Sequence, residues 1–260
     1  MRRLLAAEWL KLRSVPSTWY MLGVAALGVG VSALVAFYAA SAWNGATAAM
    51  RRTMRVTPLP PVAGLIADLA LAVLGILAFT DEQNSGLLGL SLAAVPRRGA
   101  FLAAKAMVVG AVALIAGEAV SFATFFAGRA IVGGRAILYL TIPFRQEWPL
   151  LISLGLCVLL FALVGLGLGV ILRSTAGAII VLVAGFLYIL PLVALHIPPP
   201  WGYRVSSVLL ANLGPELARA PQSWGFPRTV LSPLWTGAVM ALYVAVALGA
   251  ALVLIRRRDA

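Results

Sequence analysis

Two carboxylates, Asp68 and Glu118, lie well inside apolar stretches of the chain. A charge at mid-membrane costs about 2.5–3.5 kcal/mol on insertion scales, so such residues usually face a bundle interior, a partner or a water-filled path. From the helical rise, Asp68 lies about 12 Å and Glu118 about 15 Å from the outer end of its stretch. Two interpretations follow. Either each group is protonated or hydrogen-bonded between packed helices, or the two handle protons or substrate.

Nucleotide binding by this chain is not predicted. A phosphate-binding P-loop needs a Gly-Lys-Ser/Thr sequence, and the only lysines, Lys11 and Lys105, follow Leu10 and Ala104. The glycines between Gly165 and Gly169 lie in an apolar stretch, where small residues four apart favour close packing of two membrane helices.

Metal and hydrolytic chemistry are not predicted either. His196 is the only histidine and precedes three prolines, while Cys157 is the only cysteine and lies in an apolar stretch. A structural metal site usually takes several such ligands. We therefore expect no catalytic residue, metal or cofactor in this chain.

The composition indicates one all-α integral membrane domain over residues 1–260. The chain is 62% hydrophobic and 11% charged, with mean hydropathy +1.02, whereas soluble domains carry about 25% charged residues. A spanning helix takes about 20 apolar residues. Six stretches qualify as transmembrane helices: Trp19–Ala40, Pro61–Thr80, Ala100–Ala127, Trp148–Leu172, Ala176–Leu195 and Leu234–Ile255.

Residues 1–15 are predicted to form an amphipathic helix in the membrane interface. Leu5, Trp9 and Leu12 recur on one helical face. Glu8 and Lys11 lie elsewhere on the helix and can pair at i, i+3. Pro16 then ends this helix before the first span.

Both termini are predicted to be cytoplasmic, in a multi-pass protein of the cell membrane. This orientation places eleven of the 20 basic residues inside and nine outside, a narrow bias in the expected direction. The net charge of +12 comes from arginines that flank apolar stretches, so we expect contact with lipid headgroups rather than with nucleic acid. Residues 81–99 form an inner loop. Residues 196–233 form an outer loop whose short apolar part, residues 206–219, is expected to dip into the interface as short helices.

Two segments resemble the permeases of ATP-binding-cassette transporters, of the type-2 exporter class and actinobacterial type. The first is Glu8-Trp9-Leu10-Lys11-Leu12-Arg13-Ser14 with Ser17-Thr18-Trp19. The second is Glu82-x-x-x-Gly86, followed by Leu92-Ala93-Ala94-Val95-Pro96-Arg97-Arg98 and Lys105. The six spans, the amphipathic leader and the broken outer loop are similar to the layout of that class. Leu87 departs from it, since a small polar residue commonly follows the loop glycine.

The resemblance implies a permease that dimerises with a second copy or a homologue and couples to separate ATPase subunits, which hold ATP and Mg. It implies that loop 81–99 contains a coupling helix and that the leader is a second contact. Four leucines are expected to fill an apolar groove on the ATPase: Leu87, Leu88, Leu90 and Leu92. The residues implied in coupling are Glu8, Lys11, Asp81, Glu82, Gly86, Arg97 and Arg98.

The resemblance also implies a substrate path between the two permeases that suits a lipid, a hydrophobic drug or an amphipathic peptide. Besides Asp68 and Glu118, its candidates are the aromatic residues Phe37, Tyr38, Phe161, Phe186 and Tyr188. Two alternatives stay open: a proton-coupled secondary transporter that uses Asp68 and Glu118, and a non-transporting membrane assembly protein.

Overall fold

The computed structural model describes residues 2–94, 97–219 and 231–257. It is 85% helical and contains no strand in these ranges. Six helices are long and apolar enough to cross a membrane. The predicted all-α membrane fold with six spans is therefore confirmed.

The first half of the chain begins with a short helix and a first span that are separated at Val15, immediately before Pro16. Proline is tolerated in the first turn of a helix because its missing N–H needs no partner there. The helices of this half are α1 (Arg2–Ser14), α2 (Pro16–Gly45), α3 (Ala48–Thr53), α4 (Leu59–Asn84), α5 (Leu87–Ala94) and α6 (Arg98–Val132).

The second half contains the remaining three spans and a group of short helices. The fifth span, Thr175–Leu195, has a π-helical middle at Val181–Ile189. The helices of this half are α7 (Phe144–Leu172), α8 (Thr175–Ile180), α9 (Leu190–Leu195), α10 (Trp201–Ser207), α11 (Leu213–Leu217) and α12 (Pro233–Arg257).

Close packing of α4 against α7 forms the centre of the bundle, and small residues make it possible. A Cβ on Gly165 would clash with the backbone carbonyl of Ala72, and one on Gly169 would lie 2.9 Å from the carbonyl oxygen of Ile76. A Cβ on Gly75 would in turn clash with the carbonyl of Ala162. The predicted packing role of Gly165 and Gly169 is confirmed.

Both ends of the described chain lie at one end of the bundle. The Nζ of Lys105, near the start of α6, lies 2.7 Å from Glu8 of α1. The neighbouring Arg98 donates to the carbonyl of Ile255 in the last turn of α12. We call this end, with α1, α5, the start of α6 and the end of α12, the N-terminal face, and the other end the opposite face.

The loop on the opposite face folds back into the bundle as α10, a short 3-10 turn at Leu210–Asn212, and α11. Gly214 packs against the thiol of Cys157, and the hydroxyl of Tyr243 donates to the carbonyl of Val208 at 3.1 Å. Tyr243 lies ten residues into α12, or about 15 Å along it. The expected short helices are present, and they reach deeper than the interface. Pro221, Trp224 and Pro227 lie outside the described residues.

Many polar groups of this re-entrant segment, residues 201–217, are hydrogen-bonded within the segment, as buried irregular backbone requires. The side-chain amide of Asn212 donates to the carbonyl oxygen of Ser206 at 2.8 Å and to its hydroxyl at 3.1 Å. Leu210 and Leu213 are fully buried against α7. The segment is therefore a packed part of the bundle.

Candidate functional site: a buried ion network at the N-terminal face

Lys105 is the centre of the most strongly polar site in the described structure. Its ammonium donates to Glu8 Oε2 at 2.7 Å, to Glu82 Oε1 at 2.8 Å and to the carbonyl oxygen of Ala78 at 2.8 Å. An ammonium has three donors and no acceptor, so all three are used. The side chain of Lys105 is only 4% exposed.

Lys11 binds the same two carboxylates and is more exposed than Lys105. Its ammonium lies 3.0 Å from Glu8 Oε1, 3.1 Å from Glu82 Oε1 and 3.1 Å from the hydroxyl of Ser91 in α5. The predicted i, i+3 pair of Glu8 and Lys11 is thereby confirmed. Burial lowers the pKa of Lys11, but its hydrogen bonds to Glu8 and Glu82 raise the pKa by more, so the group stays charged and its pKa lies above the ordinary value.

We call Glu8, Lys11, Glu82 and Lys105 the ion network. It holds two positive and two negative groups, so its formal charge is zero. The ring of Phe101 lies beside it, with its centroid 5.2 Å from Lys105 Nζ and 5.9 Å from Lys11 Nζ. Cation–π attraction at such distances adds to the ion pairs.

Three helices, α1, α4 and α6, supply the four side chains of the network. Glu8 is the only buried residue of α1, while Trp9 on the adjacent face is 49% exposed. The side of α1 that carries Glu8 therefore faces the bundle, and Trp9 faces outward, where an interfacial tryptophan is expected. Glu82 lies in the last turn of α4, which ends before Gly86 at φ +72°, a conformation that favours glycine. Lys105 lies two turns into α6.

The network ties α1, α4 and α6 together, and the bond to Ser91 extends it to α5. Burying ions costs several kcal/mol each, so a buried ion cluster contributes little net stability even though the loss of one member is costly. Its better-attested use is to fix the register of the elements that it joins. The arrangement can therefore transmit a displacement of α5 or α1 to the two spans.

The other residues implied in coupling lie around this site but outside the network. Asp81 accepts from the hydroxyl of Ser17 at 3.4 Å, and Arg97 is exposed just before α6. Leu87 is 51% exposed, whereas Leu88 is buried against Phe79 and Phe101. Val95, Pro96 and the side chains of Leu90 and Leu92 lie outside the described residues.

The two intramembrane carboxylates lie on different sides of α7. Asp68 is buried near Cys157, and its Oδ1 has no hydrogen-bond partner among the described residues. Glu118 packs against Gly155, and its Oε2 lacks such a partner as well. Because residues two apart on a helix point about 200° apart, α7 separates the carboxylates rather than joining them in one pair.

The five aromatic candidates for the substrate path do not converge within one chain. Phe161 is fully buried, and the rings of Phe186 and Tyr243 meet edge to face at 6.3 Å. Phe37, Tyr38 and Tyr188 are 60%, 71% and 70% exposed. These three can contact lipid or a second chain, while Phe161 belongs to the core.

Sequence reasoning did not identify Lys105 as part of the site. In the sequence Lys105 is part of the segment that resembles the permeases, and it is one of two lysines and lies within an apolar stretch. A lone lysine in such a stretch needs a carboxylate partner, and Glu8 and Glu82 are acidic residues of the same face. No group of three metal-binding side chains occurs in the part of the chain that the structure describes.

No family model matches the chain, and no curated protein matches it significantly.

Proposed function

We propose that this protein is the transmembrane permease subunit of an ATP-driven exporter, with separate ATPase subunits bound at the N-terminal face. The observation that carries the proposal is the ion network. It joins the interfacial helix, the loop helix α5 and two spans in one polar cluster. A machine driven from outside the membrane needs such a connection between its docking surface and its spans.

The N-terminal face also offers an apolar docking residue. Leu87, at the start of α5, has half of its surface exposed. Without a partner, this apolar surface would lie in water. Asp81 and Arg97 supply charge on either side of α5. In this proposal α5 enters a groove of the ATPase, and the N-terminal face, with both termini, is cytoplasmic.

The membrane region is compatible with an apolar or amphipathic substrate. α2, the fifth span and α12 have few buried residues within one chain, so they are available to lipid and to a second permease, a copy or a homologue. The exposed Phe37, Tyr38 and Tyr188 lie on two of these spans. ATP and Mg belong to the partner, and catalysis is not assigned to any residue of this chain.

Co-purification tests this proposal. The full-length chain is tagged, expressed in its native host and isolated in mild detergent. We expect it to capture a second protein that contains a P-loop and hydrolyses ATP. We expect Leu87→Arg to lower capture at least tenfold. Met50→Arg is the matched control, because Met50 is 62% exposed on the short helix α3 of the opposite face. Equal capture by both variants, or no P-loop ATPase with the wild type, contradicts the proposal.

A proton-coupled secondary transporter is the second candidate, favoured by the unpartnered oxygens of Asp68 and Glu118. It predicts that transport follows a proton gradient without ATP and is lost in Asp68→Asn or Glu118→Gln while the protein stays folded. Transport that needs ATP and survives both substitutions excludes it.

A further inference from the structure

An arginine-lined cavity lies at the N-terminal face between the start of α6 and the end of α12. Its volume is about 470 Å³, and the described residues that line it are Arg97, Arg98, Gly99, Ala100 and Arg256. Small-molecule sites usually measure about 300–1,000 Å³. Among the described residues, the lining includes three guanidinium groups and no carboxylate.

Contacts between α6 and α12 shape the cavity. Arg98 donates to the carbonyl of Ile255 and so ties α6 to α12. Gly99 forms the floor: a Cβ there would lie 3.5 Å from a guanidinium nitrogen of Arg256 and 3.7 Å from Leu252. A larger side chain at position 99 would therefore occupy the space between the arginines.

The position of the cavity indicates its ligand. Gly99 lies in the first turn of one membrane span and Arg256 in the last turn of another, so the cavity lies at the level of the lipid headgroups. Val253, one turn before Arg256, is 48% exposed and apolar, which suits an acyl chain below the headgroup. Basic pockets between spans are a known way to hold anionic headgroups, and guanidinium groups suit phosphate geometry.

We infer that this cavity binds the phosphate headgroup of an anionic phospholipid. The bound lipid bridges the start of α6 to the end of α12 on the N-terminal face. Arg97 and Arg256 bind the phosphate, and Arg98 positions the two helices through Ile255. This inference does not depend on the proposed transport function, since it concerns lipid alone.

Lipid binding by the purified full-length chain tests the inference. Nanodiscs of phosphatidylcholine are compared with discs that contain phosphatidylglycerol, and lipids retained in detergent are counted by native mass spectrometry. We expect selective retention of phosphatidylglycerol that weakens with salt. Each juxtamembrane basic residue changes the affinity for anionic lipid about fivefold. The double variant Arg97→Gln with Arg256→Gln should therefore lower this affinity roughly 30-fold.

Two further variants separate the cavity from general surface charge. Gly99→Leu keeps every arginine and fills the cavity, so it should reduce retention as well. Arg52→Gln with Arg55→Gln removes the same charge from exposed positions on the opposite face and should leave retention unchanged. Thermal unfolding in phosphatidylcholine alone shows whether each variant is folded.

Several results overturn the inference. One is equal retention of both lipids by the wild type, and another is equal loss in the two double-arginine variants. If inorganic phosphate protects the chain from unfolding to the same extent as the lipid, the cavity binds a soluble anion. If the double variant Arg97→Gln with Arg256→Gln loses ATPase capture but retains lipid fully, these arginines contact the partner protein instead.

Discussion

Replacement of Lys105 by methionine is the sharpest perturbation of the ion network. Methionine fills a similar volume but cannot donate, so Glu8 Oε2 and Glu82 Oε1 each lose a contact of 2.7–2.8 Å. The network then carries a formal charge of −1 in a buried site. Lys11 still pairs with both carboxylates, and its side chain is 39% exposed.

The expected cost follows from the burial. Removing one partner of a buried ion pair costs about 3–5 kcal/mol, and the remaining contacts of Lys11 favour the lower end of this range. For a chain of this size about 1 kcal/mol shifts Tm by roughly 2–4 °C, so Lys105→Met should lower Tm by about 6–12 °C. Lys11→Met is the matched control. Because Lys11 is partly exposed, its loss should cost about 1 kcal/mol or less.

The rescue variant is Glu82→Gln with Lys105→Met, which restores zero net charge and keeps the pair of Glu8 and Lys11. We expect it to recover at least half of the Tm lost by Lys105→Met. The assay is thermal unfolding of the purified full-length chain in detergent, followed by tryptophan fluorescence. An unchanged Tm in Lys105→Met, or a rescue variant less stable than Lys105→Met, would refute the reasoning about the buried charge.

Three further predictions concern packing, pH and the re-entrant segment. Gly165→Leu should lower the free energy of unfolding by about 3 kcal/mol or more, because the new side chain meets the backbone of α4. Gly249→Ala, with open space around it, should raise the free energy of unfolding by up to about 1 kcal/mol. The folded fraction of each variant in size-exclusion chromatography compares the two. The pKa of Lys11 is raised above its ordinary 10.5, so its stabilising contribution is complete below pH 10.5 and is lost as pH rises through the folded-state pKa. Unfolding curves of wild type and Lys11→Met should therefore differ by a constant amount near neutral pH and converge at strongly alkaline pH, and a gap that closes near pH 7 contradicts this. Tyr243→Phe removes the bond to Val208 and should cost about 1 kcal/mol with a local increase in hydrogen exchange on the re-entrant segment; unchanged exchange there would show that this bond does not hold the segment.

The local features of this fold can be predicted from the sequence because they depend on near neighbours. Hydropathy identifies all six spans, and Pro16 marks the break between α1 and α2. Glycines four apart predict the close face of α7, and a separation of three residues predicts the pair of Glu8 and Lys11. Each of these signals lies within one helix.

The ion network could not be predicted in the same way because it joins residues that are far apart in the chain. Glu8 and Lys105 are separated by 97 positions, and nothing local fixes which side of α1 faces the bundle. The depth of the re-entrant segment is likewise a tertiary property. It depends on Gly214 fitting against Cys157, which an apolar loop sequence does not specify.

The proposed function requires that α5 on the N-terminal face contacts an ATPase subunit. A photo-crosslinking amino acid placed at Leu87 in the full-length chain, and activated in intact cells of the native host, tests this contact most directly. We expect a crosslinked product in which mass spectrometry identifies a P-loop ATPase, and no such product from the same probe at Met50. A probe at Leu87 that crosslinks only to lipid, or that gives the same products as the probe at Met50, would contradict the claim.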